Sequence, residues 1–257
     1  MLILIHPDAE SACATAARLL AELIRSKPDA VLGLAAGATP LPAYDRVVAE
    51  AGRGLECSRL TVFGLDEYEG VSPDHPAACT RAILDRFVRP LRLGPERVHL
   101  LVGDGGAEAR CAAHEAAIRA AGGIDLQVLG LGVNGHVGFN EPGCSLAGPT
   151  RRVALSARTR AVNGPGFGGP EAMPATALSM GLGTILAARR ILLMATGGSK
   201  AEAVASMAEG PVTAMVPASA LQTHAAVVAV VDEAAAARLR LGDDYRRAAA
   251  LLAASPW

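Results

Sequence analysis

Short aliphatic runs recur along the chain, and each is apolar throughout instead of alternating between apolar and polar residues. Such runs are typical of strands buried on both faces of a parallel sheet. The stretches between them are rich in alanine, the strongest helix former, and therefore predict helices. The predicted strands are 2–5, 31–34, 60–63, 98–101, 126–131, 191–195 and 227–231. The predicted helices are 9–25, 41–51, 76–88, 107–121 and 199–208.

This alternation predicts a single-domain α/β fold with a mostly parallel, doubly wound (Rossmann-like) sheet and helices on both faces. No repeat or low-complexity linker divides the sequence, so we expect one domain over residues 1–257. The segment 140–174 breaks the rhythm, because it is rich in Gly, Pro, Arg and Ser without a clear period. Long irregular segments in compact domains are commonly functional, which favours a lid over a ligand site. A disordered insertion is the alternative.

Charge and composition argue against several classes of partner. The chain has 24 Lys+Arg and 25 Asp+Glu, so no basic excess favours nucleic acid or an anionic membrane. Aromatic residues are 3%, too few for the stacking platforms that bind single-stranded nucleic acid. The apolar run 225–231 falls far short of the ~20 residues of a membrane-spanning helix. The run 2–5 is also shorter than the ~7–15 residues of a signal-peptide core.

The cysteines are five in number and scattered, with no C-x-x-C pair: Cys13, Cys57, Cys79, Cys111 and Cys144. This pattern predicts free thiols in a reducing cytoplasm, with no disulfide framework and no zinc site. The histidines also lack H-x-H and H-E-x-x-H spacing, so we expect no metal.

Two turns that follow predicted strands resemble anion-binding loops. In 33–40, small residues before Thr39 let backbone N–H groups approach a ligand at a helix N-terminus, although a tight turn capped by Thr39 fits equally well. Ser199 is the expected N-cap of a later helix. Lys200 follows it, where the helix dipole disfavours a cation, so it predicts a bound anion; an exposed lysine is the alternative. Neither turn matches a nucleotide P-loop or G-x-G-x-x-G.

Candidate proton-transfer groups follow two further strands. Asp66 comes directly after the third strand, where poor solvation is expected to raise its pKa toward that of a general base. Solvated loop acids are the alternative for Asp66 and Glu67. After the fifth strand, His136 and Glu141 are close enough in sequence to share a pocket, where a carboxylate-oriented histidine moves protons near neutral pH. The isolated histidines are expected to be structural: His99, His114 and His224.

Four motifs occur in one order along nearly the whole chain. They are G-A-T-P at 37–40, L-D-E-Y at 65–68, N-G-H-V-G-F-N-E-P at 134–142 and G-S-K at 198–200. With these motifs the chain resembles the glucosamine-6-phosphate deaminase family, also called glucosamine/galactosamine-6-phosphate isomerases, and the third motif is highly specific. Five stretches further resemble the galactosamine-6-phosphate branch: 25–31, 36–41, 122–126, 129–136 and 216–219.

The resemblance implies conversion of glucosamine 6-phosphate or galactosamine 6-phosphate into a ketohexose 6-phosphate plus ammonia. It implies both isomerase and hydrolase character, and no cofactor. By the same resemblance Asp66 removes the C2 proton, and His136 opens the sugar ring with Glu141 orienting it. Asn134 stands in that cluster where some members carry Asp. The implied phosphate contacts are Gly37, Ala38, Thr39 and Lys200.

One departure from the family pattern concerns the phosphate. Well-studied members have an N-x-R-F-F stretch whose arginine grips the substrate phosphate. This chain has Pro165 at that arginine's place. Arg158 and Arg160 are the candidates to replace it.

Two alternative functions stay open. The first is a 6-phosphogluconolactonase-like hydrolase of sugar-phosphate lactones, which has the same fold but a Ser-Leu-Phe-Pro ending that is absent here. The second is a non-catalytic sugar-phosphate sensor, which no DNA-binding segment or basic patch supports. The expected partner is the small-molecule substrate, and the sequence leaves the choice between a monomer and a homo-oligomer open.

Overall fold

The computed structural model describes residues 1–103 and 105–252. Its strands are β1 (Leu2–His6), β2 (Val31–Leu34), β3 (Thr61–Gly64), β4 (Asp66–Tyr68), β5 (Val98–His99), β6 (Leu126–Gly130), β7 (Arg151–Ala154), β8 (Thr176–Ser179), β9 (Ile191–Ala195) and β10 (Val227–Asp232). A seven-stranded sheet has the order β1-β10-β9-β6-β2-β3-β5. All of its neighbouring strands pair in parallel, as predicted.

Helices connect the strands. They are α1 (Ala9–Ser26), α2 (Leu41–Ala51), α3 (Cys79–Ile83), α4 (Arg89–Leu91), α5 (Ala107–Ala120), α6 (Ala157–Asn163), α7 (Leu182–Leu186), α8 (Ala201–Glu209), α9 (Glu233–Ala236) and α10 (Gly242–Leu252). The predicted helix 76–88 begins later, at Cys79, and it is not one regular α-helix, because α3 passes into a π-helical turn, Leu84–Val88, before α4. None of the described helices combines the length and the apolar character needed to cross a bilayer.

The sheet is covered on both faces. Alternate residues of β10 belong to two different hydrophobic clusters, with Val228 and Val230 in one and Ala229 and Val231 in the other. The first cluster includes residues of α1 and α2, and the second includes residues of α5, α7 and α8. Since side chains alternate between the faces of a strand, this division confirms the predicted helix layers on both sides.

The order of the strands reverses next to β2. From β2 the chain runs outward to β3 and β5, then returns to the other side of β2 with β6, and continues to β9 and β10. The connections that leave β2 and β6 therefore diverge at the carboxyl ends of these strands. In open α/β sheets this divergence creates the crevice in which ligands bind.

A second, three-stranded antiparallel sheet, β4-β8-β7, was not predicted. Its strands have three or four residues each, and they contain charged or polar side chains that hide the apolar signal of a buried strand. The predicted turn residue Asp66 is consequently the first residue of β4, where it pairs with Ser179 of β8.

The segment 140–174 contains more regular structure than its sequence indicated. It includes β7, α6 and the 3-10 turn Gly164–Phe167. Ser156 caps α6 by accepting a hydrogen bond from the backbone N–H of Thr159, at 3.1 Å. Phe167 packs at the edge of the Tyr68 ring, with centroids 4.9 Å apart. The segment therefore packs on β4 beside the end of the central sheet.

His114 on α5 is a buried histidine with a structural role. Its ring lies edge-on to Phe63, with centroids 5.4 Å apart, and His99 stacks on the same ring. Burial lowers the pKa of His114 to about 4, because the charged imidazolium is poorly solvated there. The folded protein therefore requires the neutral form.

We predict that His114 makes the fold sensitive to acid. An unfolded histidine has a pKa near 6.5, so its contribution to stability is complete above that pH and is lost as the pH falls toward 4. The loss is about 3 kcal/mol of unfolding free energy. Urea denaturation at pH 7 and pH 4.5 should show a smaller decrease for His114→Gln than for the wild type. Equal decreases would contradict this role.

Candidate active site

A cavity of about 610 Å³ lies beyond the carboxyl ends of β2, β3 and β6. Its wall combines the turns 35–41, 65–66 and 130–139 with residues of α3 and α6. Seven of the eight predicted site residues line it: Gly37, Ala38, Thr39, Asp66, Asn134, His136 and Lys200. The eighth, Glu141, lies behind Asn134. The site residues predicted from the sequence therefore lie close together in the folded protein.

The turn after β2 offers unpaired donors. Gly37, Ala38 and Thr39 donate no backbone hydrogen bond to another described residue. Pro40 occupies the N-cap position of α2, and no side chain caps the start of this helix. Thr39 therefore does not act as its cap. Free N–H groups at the start of an eleven-residue helix are suited to an anion.

Lys200 lies at the start of α8, on the opposite side of the switch point. The preceding turn is held by Asp232, whose carboxylate accepts hydrogen bonds from Gly197 N–H at 2.9 and 3.0 Å. Gly197 has φ 87°, a conformation that favours glycine. Ser199 is not the N-cap that its sequence position indicated, because α8 begins one residue after Lys200. Burial lowers the pKa of Lys200, which has no ion pair among the described residues.

Asp66 is the carboxylate of raised pKa in the cavity. Burial raises its pKa to about 7, and the nearby charge of Glu67 acts in the same direction, while a hydrogen bond from Cys79 opposes them. A carboxyl group with this pKa is half-ionised near neutral pH, which suits a general base.

Glu67 is excluded as the base by its position. It is 2% exposed and is not part of the cavity wall. Its Oε1 accepts hydrogen bonds from the N–H groups of Tyr68 at 2.8 Å and Cys79 at 3.2 Å. Its Oε2 accepts from Thr80 N–H at 2.7 Å. Glu67 therefore binds the N-terminus of α3 to β4.

His136, Asn134 and Glu141 form a chain of hydrogen bonds. Asn134 Nδ2 donates to Glu141 Oε2 at 2.9 Å, and Asn134 Oδ1 lies 2.6 Å from His136 Nδ1. A carboxylate only accepts, so the amide nitrogen must face Glu141 and the amide oxygen must face the imidazole. Nδ1 of His136 therefore carries a proton. In the neutral ring Nε2 is then the free base.

Glu141 acts on His136 mainly through Asn134, because its Oε2 lies 3.7 Å from Nδ1. Its other oxygen accepts hydrogen bonds from Ser156 Oγ, at 3.0 Å, and from Thr159 Oγ1. Burial raises the pKa of Glu141, but the bonds from Thr159 and Asn134 outweigh it and lower the pKa. Burial also lowers the pKa of His136, with the charge of Glu141 opposing. The histidine is therefore held mostly neutral near pH 7.

The segment 140–174 closes one side of the cavity with α6 and Phe167. Arg158 lines the cavity and has no hydrogen bond or ion pair with another described residue. Arg160 is instead occupied outside it, donating to Pro170 O at 2.6 Å and pairing with Glu171. Of the two arginines left open by the sequence, only Arg158 is placed to meet a ligand.

Sequence reasoning missed several residues of the site. Cys79 reaches the cavity because Glu67 binds the start of α3, and Thr159 reaches Glu141 because α6 folds back over the sheet. Neither residue belongs to a motif, so the sequence contained no signal for them. Tyr68 lines the cavity too and does lie in a recognised motif, L-D-E-Y. Among the described residues, no group of three or more His, Cys, Asp or Glu could hold a metal ion.

A cavity lined by anion donors and by two proton-transfer groups indicates an enzyme that acts on a small anionic metabolite. The family of "Glucosamine-6-phosphate isomerases/6-phosphogluconolactonase" matches residues 8–230. The chain belongs to this family.

Curated relatives are similar over nearly their whole length. The glucosamine-6-phosphate deaminase of Arthrobacter sp. (strain FB24) is 48% identical over 250 residues, which cover 96% of this chain and 95% of that protein. Glucosamine-6-phosphate deaminase 2 of Bacillus subtilis (strain 168) is 43% identical over 244 residues, covering 93% and 98%. The structure of a monomeric glucosamine-6-phosphate deaminase is 39% identical with a TM-score of 0.89, covering 93% of this chain and all 100% of that chain.

These findings confirm the predicted family, the fold class and the assignment as an enzyme of this kind. The expectation of hydrolase character is wrong, because the relatives are named deaminases and the family description names isomerases. The 6-phosphogluconolactonase of Trypanosoma brucei is 19% identical with a TM-score of 0.75, covering 93% of this chain and 98% of that one. At that identity the likeness shows a shared fold only.

We predict that Gly132 is required for the position of His136. A Cβ atom at residue 132 would lie 2.3 Å from Cε1 of the imidazole, so Gly132→Ala must displace the ring. Overpacking of this kind costs about 1–3 kcal/mol of unfolding free energy. Gly37→Ala is the matched control, since its Cβ would have its nearest contact at 3.7 Å, with Pro40. Urea midpoints that fall equally in both variants, or in neither, would refute the prediction.

Proposed function

We propose that this chain is a glucosamine-6-phosphate deaminase, converting glucosamine 6-phosphate and water into a ketohexose 6-phosphate and ammonia. The observation that carries the proposal is the presence of Asp66, His136 and Lys200 around one cavity. The names of the similar proteins support the same reaction. Galactosamine 6-phosphate stays a predicted second substrate, which the resemblance to the galactosamine branch supports.

The substrate phosphate is proposed to bind between the turn 37–39 and Lys200. The free N–H groups of that turn and the partly buried ammonium are the donors that support this assignment. Binding energy at the phosphate is remote from the reacting carbons, so it positions C1 and C2 without acting on them.

His136 is proposed to open the sugar ring. With Nδ1 carrying a proton toward Asn134, Nε2 can accept the proton of the anomeric hydroxyl. The resulting imidazolium can donate a proton to the ring oxygen, and Glu141 stabilises the positive charge at 3.7 Å. A histidine whose pKa is lowered by burial is suited to start as the base and to finish as the acid.

Asp66 is proposed to remove the C2 proton of the open sugar. Its raised pKa, about 7, makes it a stronger base than an ordinary carboxylate. The electrons then shift toward C1 to give an enolamine, and return of a proton to C1 converts it into an imine at C2. One water molecule adds to C2, and the C–N bond breaks, so that ammonia leaves and the water oxygen becomes the ketone oxygen. Donors of the cavity wall stabilise the oxyanion that develops at C1.

We infer further properties that follow from the same assignment. Residues 1–257 are proposed to form one deaminase domain, which the family match over 8–230 supports. The five free cysteines support a reducing, cytoplasmic location. The similarity to a monomeric deaminase supports a monomer over a homo-oligomer.

We predict that Asp66→Asn abolishes most turnover while sugar phosphate still binds. The amide keeps the shape of the side chain but accepts no proton, and a positioned base contributes roughly 10²–10⁴-fold to rate. Ammonia release and exchange of the C2 hydrogen with deuterated water should both be lost. Glu67→Gln should lower the unfolding free energy, because its amide would face backbone N–H groups, yet leave the folded enzyme active. C2 exchange that survives in Asp66→Asn and vanishes in Glu67→Gln would reverse the assignment.

We predict that Lys200→Ala and Arg158→Ala raise KM for the phosphorylated sugar. Hydrogen bonds to charged groups contribute about 1.5–3 kcal/mol, so Lys200→Ala should raise KM by roughly 10- to 100-fold. The exposed Arg158 should have a smaller effect. Arg152→Ala is the matched control, because Arg152 is an exposed arginine paired with Glu69 outside the cavity. Unphosphorylated glucosamine should be a poor substrate throughout, and equal efficiency on both sugars would refute phosphate anchoring.

A further inference from the structure

The helix α6, which closes one side of the cavity, is bonded at both ends to residues of the recognised motifs. At its C-terminal end, Asn163 Nδ2 donates a hydrogen bond to the hydroxyl of Tyr68 at 3.2 Å. At its N-terminal end, the hydroxyls of Ser156 and Thr159 donate hydrogen bonds to one oxygen of Glu141, Oε1. The helix is therefore joined directly to the carboxylate behind the proposed ring-opening histidine.

The side chain of Thr159 is not the cap of α6. Ser156 is the N-cap, and its hydroxyl accepts a hydrogen bond from the backbone N–H of Thr159 at 3.1 Å. The hydroxyl of Thr159 instead donates its proton to Glu141 Oε1. Thr159 is 3% exposed, so this bond is shielded from water. The hydroxyl of Thr159 therefore acts on the carboxylate and not on the helix.

The two oxygens of Glu141 face different partners. Oε1 accepts hydrogen bonds from Thr159 Oγ1, from Ser156 Oγ at 3.0 Å and from Ser156 N–H at 3.4 Å. Oε2 accepts from Asn134 Nδ2 at 2.9 Å and lies 3.7 Å from His136 Nδ1. Because a carboxylate is planar, the bonds that hold Oε1 also fix the direction in which Oε2 points.

Asn134 transmits this orientation to the imidazole. Its Oδ1 lies 2.6 Å from His136 Nδ1 and accepts a longer bond from the backbone N–H of His136, at 3.3 Å. Its Nδ2 has Glu141 as the one acceptor among the described residues. One end of the amide is therefore held by Glu141 alone. The proton on Nδ1 of His136 depends on the direction of this amide, since the bond made by one ring nitrogen decides the tautomer.

We propose that Thr159 is a positioning residue for ring opening, whose hydroxyl holds Glu141 against Asn134 and so keeps the proton of His136 on Nδ1. The contact links the helix that closes the cavity to the side chain that starts the reaction. Nε2 of His136, the atom that must accept the anomeric proton, then stays free while α6 is in place. This role rests on the proposed function of His136.

The test replaces Thr159 by Val, which has the same shape without the hydroxyl, and by Ser, which keeps the hydroxyl. Thr184→Val is the matched control. Thr184 is also buried, and it donates its hydroxyl to a glutamate oxygen, Glu115 Oε1, outside the cavity wall. In both places a second hydroxyl and a backbone N–H still bind the same glutamate oxygen after the change. Urea midpoints should therefore fall by similar amounts in the two valine variants.

A spectroscopic and a kinetic readout distinguish positioning from a merely structural role. ¹⁵N NMR of the neutral His136 ring, without substrate, reports which nitrogen carries the proton. The Nδ1–H form should predominate in the wild type, Thr159→Ser and Thr184→Val, and its fraction should fall in Thr159→Val. With glucosamine 6-phosphate, Thr159→Val should lower kcat on the order of 10-fold, because the base is misdirected. KM should be unchanged, since Ser156 still caps α6.

A substrate that is already open separates ring opening from proton abstraction. The 4,5-dideoxy analogue of glucosamine 6-phosphate lacks the hydroxyls that close the ring, so it stays open. Thr159→Val should slow the exchange of the C2 hydrogen with deuterated water for glucosamine 6-phosphate but not for this analogue. Thr159→Ala, which also lacks the hydroxyl, replaces Thr159→Val if the valine variant does not fold.

Two outcomes separate this proposal from the proposed function. If the NMR result holds but the wild type releases no ammonia from glucosamine 6-phosphate, the positioning of His136 is supported and the proposed function fails. If the wild type releases ammonia while Thr159→Val keeps the wild-type fraction of the Nδ1–H form, or loses exchange equally on both sugars, the proposed function stands and the role of Thr159 is overturned.

Discussion

Burial of the central sheet on both faces is the constraint on which the rest of the structure depends. The first five residues of β10 and all five of β9 are apolar and buried, and the carboxylate of β10, Asp232, stands at its last position. Polar groups must therefore lie beyond the strand ends, where the connections diverge. The reversal of strand order between β2 and β6 opens one crevice there. The cavity collects the first few residues after each strand because of this geometry.

Three carboxylates lie outside the cavity wall and bind the turns and side chains that hold the wall in place. Glu67 binds the start of α3, Asp232 binds the Gly197 turn, and Glu141 binds Asn134. Each is a buried or half-buried acceptor that satisfies N–H or O–H groups left free by an irregular turn. The turns can then leave other donors unpaired toward a ligand. These three carboxylates make the site rigid from behind the cavity wall, while the wall itself consists of small residues with donors free for a ligand.

The sequence predicted the central sheet and most of the site for one physical reason. Fully apolar runs identify strands buried on both faces, and parallel strands place their following residues at one edge, so motifs distant in sequence converge. The second sheet was missed because β4, β7 and β8 are short and polar, and Asp66 meets Ser179 only after long-range pairing. The places of Cys79 and Arg158 in the cavity wall likewise depend on how α3 and α6 fold back. No local pattern encodes such contacts.

The directions of the hydrogen bonds around His136 explain how an amide, that of Asn134, can lie between the imidazole and Glu141. A carboxylate at residue 134 would place two negative charges about as close as the 2.9 Å that now separates Asn134 Nδ2 from Glu141 Oε2. Asn134 avoids that repulsion, yet it still fixes the imidazole, because its oxygen accepts from Nδ1 and its nitrogen donates to Glu141. Burial then keeps the pKa of His136 low, with one carboxylate opposing at 3.7 Å. In the proposed mechanism the ring-opening step therefore starts from a neutral imidazole whose free nitrogen is already defined.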